Sequence, residues 1–233
     1  MPGMWGRRQF ILLSLALAGA PLALLHVGAR GAAPATSSPG RYRVDAASAR
    51  RDGLPVLPAS ARAATFRFAP GTAAADRAAV LQAVANARPA ARRLVGLVDG
   101  LVDVRIGPTG LPGAIGLTEP GPRYTVTLDL ATVSRAFGQR GIDRVVLHEL
   151  GHVLDFALLP DDVMARLQAG IPTGYGCDRG ISGACATSPE RFAESFAKWS
   201  TGDIGVDLGA GYKIPPPGPT LDAWGAPLER LGR

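Results

Sequence analysis

The sequence predicts an α+β domain, and three observations carry that expectation. Short runs with a two-residue apolar period are confined to the chain before residue 131. Helical spacing of apolar residues dominates after Ser134. Of the 233 residues 47% are apolar, enough to bury a core, and a composition only 19% charged is not that of a disordered chain. Past residue 30 no apolar stretch nears the roughly 20 residues of a membrane span, which excludes a polytopic membrane protein. The 30 glycines and 20 prolines predict long irregular loops.

Residues 1–35 read as an export signal of the twin-arginine type. Arg7-Arg8-Gln9-Phe10-Ile11-Leu12 opens the segment, an apolar run from Phe10 to Val27 follows, and small residues come next. A cut after Ala35 or Ala29 suits a signal peptidase. The alternative is an uncleaved anchor, against which Pro21 and His26 stand. This reading predicts passage through the twin-arginine export machinery and a secreted or cell-envelope location, with a membrane contact only through an uncleaved signal. The formal charge of +6 includes Arg7, Arg8 and Arg30 from this segment, and the other arginines are scattered, so nucleic acid is not an expected partner.

Residues 36–62 have no period and many turn formers, as a linker or arm does. A domain over 63–205 follows. Thr65–Phe68 alternates like a short strand, and 72–98 is an alanine-rich helix that Pro89 kinks or divides. Leu101–Ile106, Ala114–Leu117 and Arg123–Leu130 are strand candidates, the last two separated by the turn Glu119-Pro120-Gly121-Pro122. Arg123–Leu130 alternates most cleanly and suits a sheet edge that takes an extended substrate by strand addition. Ile142–Leu158 is a strongly apolar helix ending before Pro160. Asp161 or Asp162 can cap a shorter one to Ala169. Ser188 is the expected N-cap, and Pro189 the first residue, of a helix running to about Ser200. Residues 206–233 are a proline-rich tail expected to be extended.

Cys177 and Cys185, in the glycine-rich loop of residues 170–187, are expected to pair as a disulfide outside the cytoplasm. So small a loop adds about 2–3 kcal/mol through the unfolded state. Two metal thiolates are the alternative, but their spacing is wider than the usual two-to-four-residue zinc pattern.

The informative string is His148-Glu149-Leu150-Gly151-His152. On a helix, histidines four apart share a face and can meet one zinc ion at ~2.0–2.1 Å, while Glu149 leans over the open position as a base. The chain has three histidines, and the third, His26, lies in the signal. Catalytic zinc keeps three protein ligands, so the third must be a carboxylate. Glu190 and Glu194, four apart on one helical face, are the candidates. Asp155, three residues after His152, is either a carboxylate behind a ligand or helix electrostatics. Gly151 costs about 1 kcal/mol against alanine in a helix and is expected to permit close packing.

The paired strings HELGHVLDF and ERFAESFAKW resemble the gluzincin zinc metallopeptidases, most of all the anthrax lethal factor-like catalytic domain family, over roughly residues 114–200. The resemblance implies a zincin-like domain, with a small mixed sheet packed on an active-site helix and a mainly helical C-terminal part. It implies one zinc ion per chain on His148, His152 and Glu190, with Glu194 behind a ligand imidazole. The opposite assignment of the two glutamates remains the alternative. The family's oxyanion tyrosine falls on Gly183; Tyr175 and Tyr212 are the substitutes, or else packing residues. The function implied is a secreted metalloendopeptidase that hydrolyses a peptide or protein substrate with Glu149 as the catalytic base. A non-catalytic secreted zinc-binding module on the same scaffold is the rival, and an amidohydrolase of cell-wall peptides a third reading.

Overall fold

In the computed structural model, which describes residues 11–14, 65–176, 185–205 and 212–231, Pro89 divides the alanine-rich run into two helices. The first, α1, is Ala74–Asn86, and the second, α2, is Pro89–Val98. Between them Ala87 and Arg88 are extended, as the ring of a following proline requires of Arg88. Val80, Ala83, Leu94 and Val95 turn inward, and a 3-10 turn at Asp99–Leu101 leads into the sheet.

Strands β2 (Arg67–Phe68), β3 (Val102–Ile106), β4 (Ala114–Glu119) and β5 (Tyr124–Leu128) form a small mixed sheet. β1 (Ile11–Ser14), from within the expected export segment, pairs antiparallel with β4, giving the order β1-β4-β5-β3-β2. The rest of that segment and the 36–62 arm lie outside the described residues. β5 buries Tyr124, Val126 and Leu128 and half-buries the threonines between, the two-residue period its sequence predicts. It is not, however, an edge. It runs antiparallel to β4 on one side and parallel to β3 on the other, so its backbone has no free row of donors for a substrate strand. β4 is buried along nearly its whole length.

Leu130 belongs not to that strand but to α3, Leu130–Ala157. Asp129 stops the strand and caps the helix, its side chain accepting from the Thr132 amide at 3.1 Å. At Gly138 the backbone leaves helical geometry with φ 61°, a left-handed turn that glycine adopts without strain, and the helix resumes beyond it. α3 packs against α1, β4 and, most extensively, α5 (Ser188–Thr201). The two caps expected at the next helices are displaced by one residue. Pro160 occupies the N-cap of α4 (Asp161–Ala169), leaving Asp161 and Asp162 in the first turn, and Thr187 precedes α5, whose first residue is Ser188.

The tail is not extended throughout. Thr220 caps a helix, α6 (Leu221–Arg230), by accepting from the Ala223 amide. Trp224 and Leu228 of α6 are buried, and the Trp224 indole donates to the Leu167 carbonyl at 2.9 Å. The architecture is thus α+β, a small mixed sheet with helices gathered mainly in the C-terminal half.

Candidate metal centre

Two helices supply the centre. The HELGH string lies in the second half of α3, where Leu147, Leu150, Val153 and Leu154 are all at most 2% exposed. Burying each such side chain stabilises the fold by about 1.5–3 kcal/mol. Their burial carries the polar residues between them inward. His148, Glu149 and His152 are at most 1% exposed. From α5, with Phe192 and Phe196 in the core, Glu190 and Glu194 arrive 4% and 2% exposed.

His148 Nε2, His152 Nε2 and Glu190 Oε2 make a near-equilateral triangle. The two nitrogens are 3.2 Å apart, His148 Nε2 is 3.2 Å from the oxygen, and His152 Nε2 is 3.4 Å from it. Ligands at ~2.0–2.1 Å from a tetrahedral ion stand about 3.3–3.4 Å from one another, so the triangle has the edge lengths of such a shell. Two imidazole nitrogens face to face across 3.2 Å repel when both present lone pairs, and a cation between them removes that repulsion. This buried cluster can hold a metal ion, and among the described residues no other such group of three converges.

Glu194 serves the same ring from its other side. Its Oε2 lies 3.2 Å from His148 Nδ1. A proton on Nδ1, donated to that carboxylate, leaves the Nε2 lone pair facing the triangle; the tautomer is assigned from these partners. Arg144 Nη2 donates to the other carboxylate oxygen at 2.5 Å, with Lys198 Nζ 3.5 Å from it. His152 is backed by Phe156, whose ring stacks at 9° with centroids 6.2 Å apart. Asp155 is buried on the same helix.

Protons compete with a metal for these groups. Burial opposes charge on His148, but the hydrogen bonds of Glu190 and Glu194 and the charges of Glu190 and Glu149 outweigh it and raise the imidazole to about 10. Burial likewise pushes Glu190 up, and the two histidines reverse this and bring it to about 2. For Glu194 burial is overcome by Arg144, His148 and Lys198, again to about 2. Glu149 differs: burial prevails over both histidines and the Thr118 hydrogen bond, and its carboxyl is raised.

Glu149 is held by β4. Thr118 Oγ1 donates to its Oε2 at 2.7 Å, and a Cβ on Gly116 would stand 2.3 Å from its Oε1, so the carboxylate lies on bare backbone. Oε1 is buried without a hydrogen-bond partner, as is His152 Nδ1. An unpaired carboxylate oxygen in so polar a cluster is an acceptor in want of a donor.

His148 and His152 of the HExxH string and Glu190, expected to meet, do so, with Glu194 behind His148. Tyr175 is 48% exposed, and Tyr212 packs on the core beside Gly176. Cys177 and Gly183 lie outside the described residues; Cys185 is not a free thiol. Four contributors were missed: Gly116, Thr118, Arg144 and Lys198. Arg144 stands one turn before His148 and Lys198 one turn after Glu194, a spacing present in the sequence. Gly116 and Thr118 carried no local signal, because their meeting with Glu149 is made by sheet-on-helix packing. No family model, curated protein or solved structure matches the chain.

Proposed function

We propose that the chain is an exported zinc metalloendopeptidase of the gluzincin type, with His148, His152 and Glu190 as ligands and Glu149 as base. The observation that carries this reading is the triangle of three ligand atoms at 3.2–3.4 Å beside a buried carboxylate with an unpaired oxygen. Two imidazoles and one carboxylate suit zinc, and three protein ligands leave the fourth position that hydrolysis needs. Glu190 is the ligand because its oxygen faces both Nε2 atoms, whereas Glu194 faces Nδ1. Export and the Cys177–Cys185 disulfide are supported by the Arg7-Arg8 string, the apolar run behind it and the cysteine spacing.

When bound, the ion supplies a Lewis acid that lowers the pKa of water toward ~7 and polarises a carbonyl. The chain supplies the proton handling. Glu149, whose proton affinity burial has raised, accepts the proton of the attacking water on its free Oε1 and returns it to the leaving amine. Thr118 holds Oε2 and so keeps Oε1 turned to this task. Glu194 keeps the proton of His148 at Nδ1.

One observation favours the rival, a non-catalytic zinc module: all the ligand residues are at most 4% exposed, and closed sites are typically structural. Against it, a structural site uses four protein ligands, and among the described residues the cluster offers three. The full chain assayed on casein, with and without chelator, and beside Glu149→Gln, separates the two. The variant should bind one zinc per chain and lose turnover by ~10²–10⁴-fold. A purified chain without metal, or a variant with most of its activity, overturns the assignment.

A further inference from the structure

Glu190 and Glu194 lie one turn apart on α5, and each approaches one nitrogen of the same His148 ring at 3.2 Å. Their side chains are chemically identical, so something besides the carboxylate must decide which one serves as a metal ligand. The surroundings of the two differ in one respect. Among the described residues Glu190 pairs with His148 and His152, while Glu194 Oε1 has two buried cations on it. Arg144 Nη2 is 2.5 Å away and Lys198 Nζ 3.5 Å.

Both cations are themselves fixed by backbone. Arg144, 6% exposed, donates through Nη1 to the Asp203 carbonyl at 2.9 Å, and Gly205 leaves space for its guanidinium, since a Cβ there would lie 3.3 Å from it. Lys198, 3% exposed, donates to the Ile214 carbonyl. Neutralising one carboxylate needs one cation, and desolvating a second is costly. Two on a single oxygen serve direction: they pin Oε1 and leave Oε2 one place to point, at His148 Nδ1.

We infer that Arg144 and Lys198 are positioning residues of the metal centre, a clamp that commits Glu194 to orienting His148 and thereby leaves Glu190 as the ligand. The inference rests on the reading of this cluster as a metal centre. Arg144 acts twice, since it also stands one turn before His148 on α3 and ties that helix to the end of α5. Releasing the clamp frees Glu194 to swing, loosens the His148 ring and lets the second carboxylate compete for the ion.

The experiment is Co²⁺ and Zn²⁺ titration of the full chain and of Arg144→Met, Arg144→Lys and Lys198→Met, read as affinity and as the visible Co²⁺ spectrum. Disturbing groups behind a ligand typically costs ~10–100-fold in metal affinity. That loss is expected for Arg144→Met, with a changed Co²⁺ band pattern, and Arg144→Lys should recover most of both. Lys198→Met should move affinity and spectrum the same way. Should Arg144→Met not fold, Lys198→Met decides. Wild-type affinity and spectrum in the folded methionine variants overturn the clamp while leaving the metal centre standing. A wild-type chain that takes up neither ion defeats the parent reading and this one with it.

Discussion

A hydrogen in place of a side chain at Gly116 is what lets the Glu149 carboxylate lie against β4. The added Cβ of alanine would sit 2.3 Å from Oε1 and 2.9 Å from Cδ. An exposed glutamate would step aside, but this one is buried and its Oε2 is bonded to Thr118, so the carboxylate must turn away from its place against β4. Gly116→Ala is therefore expected to cut turnover by about 100-fold, the cost of misplacing a reacting group by roughly 1 Å. Its zinc content should match wild type, because no ligand touches Gly116. Metal analysis beside a peptide assay checks this, and a fully active variant would show that Glu149 does not work from this position. Glu149 and both histidines were legible from five adjacent residues, because a helix turn alone brings them together. Gly116 and Thr118 were not: they are alternate residues of one strand, and only the packing of that strand on α3 gives them a role.

At the next scale the centre depends on how closely two helices approach. Gly151, between His148 and His152, faces Ala193, between the two glutamates; a Cβ on Gly151 would lie 3.0 Å from the Ala193 Cα and 3.3 Å from Phe196. The helix propensity forgone at a glycine, about 1 kcal/mol, is the cost of that approach. Gly151→Val forces α3 and α5 apart and draws Glu190 away from the imidazoles. Overpacking of this kind typically costs about 1–3 kcal/mol. The expected outcome is a lowered denaturation midpoint together with at least ~10-fold weaker zinc binding, the order seen when a site's supporting contacts are disturbed. A variant less stable but with unaltered zinc affinity would separate the helix spacing from the metal. Local chemistry announced some elements and hid others. Pro89 marked the break between α1 and α2, and Ser188-Pro189 marked the start of α5 to within a residue. The first turns of α3 were hidden because Leu130 continues the alternation of β5, and only Asp129 with Thr132 ends it. α6 was hidden behind the prolines that precede it and by Pro227 inside it, and its anchor, the Trp224 bond to Leu167, joins distant parts of the chain.

Across the whole molecule, the α+β class was legible because two-residue and helical periods occupy different parts of the chain, whereas the sheet order was not. The alternation of β5 fixes which face is buried but is silent on what pairs with either side, and so an interior strand reads like an edge. The same long-range joining would make a metal bound at this cluster a fastener between α3 and α5, with consequences that depend on pH. In the metal-free fold His148 is raised to about 10, so its contribution is full below its ordinary 6.5 and is lost as pH rises through about 10. Glu190 and Glu194, both lowered to about 2, contribute fully above their ordinary 4.5 and lose that contribution as pH falls through about 2. These three groups hold the metal-free fold best between 4.5 and 6.5. Glu149, raised by burial, adds a further loss as pH climbs. A metal needs the Nε2 lone pair and expels the proton of His148, so its affinity runs the other way, rising about tenfold per pH unit while that proton is bound. Zinc at ~100 times its dissociation constant adds about 2.7 kcal/mol, or roughly 5–10 °C in Tm for a domain of this size. The difference in Tm between zinc-loaded and chelated protein should therefore widen from about pH 5.5 to about pH 8, with about one proton released per ion near neutrality, read by calorimetry in two buffers. A constant difference and no proton released would mean that the ion does not take the place of the His148 proton.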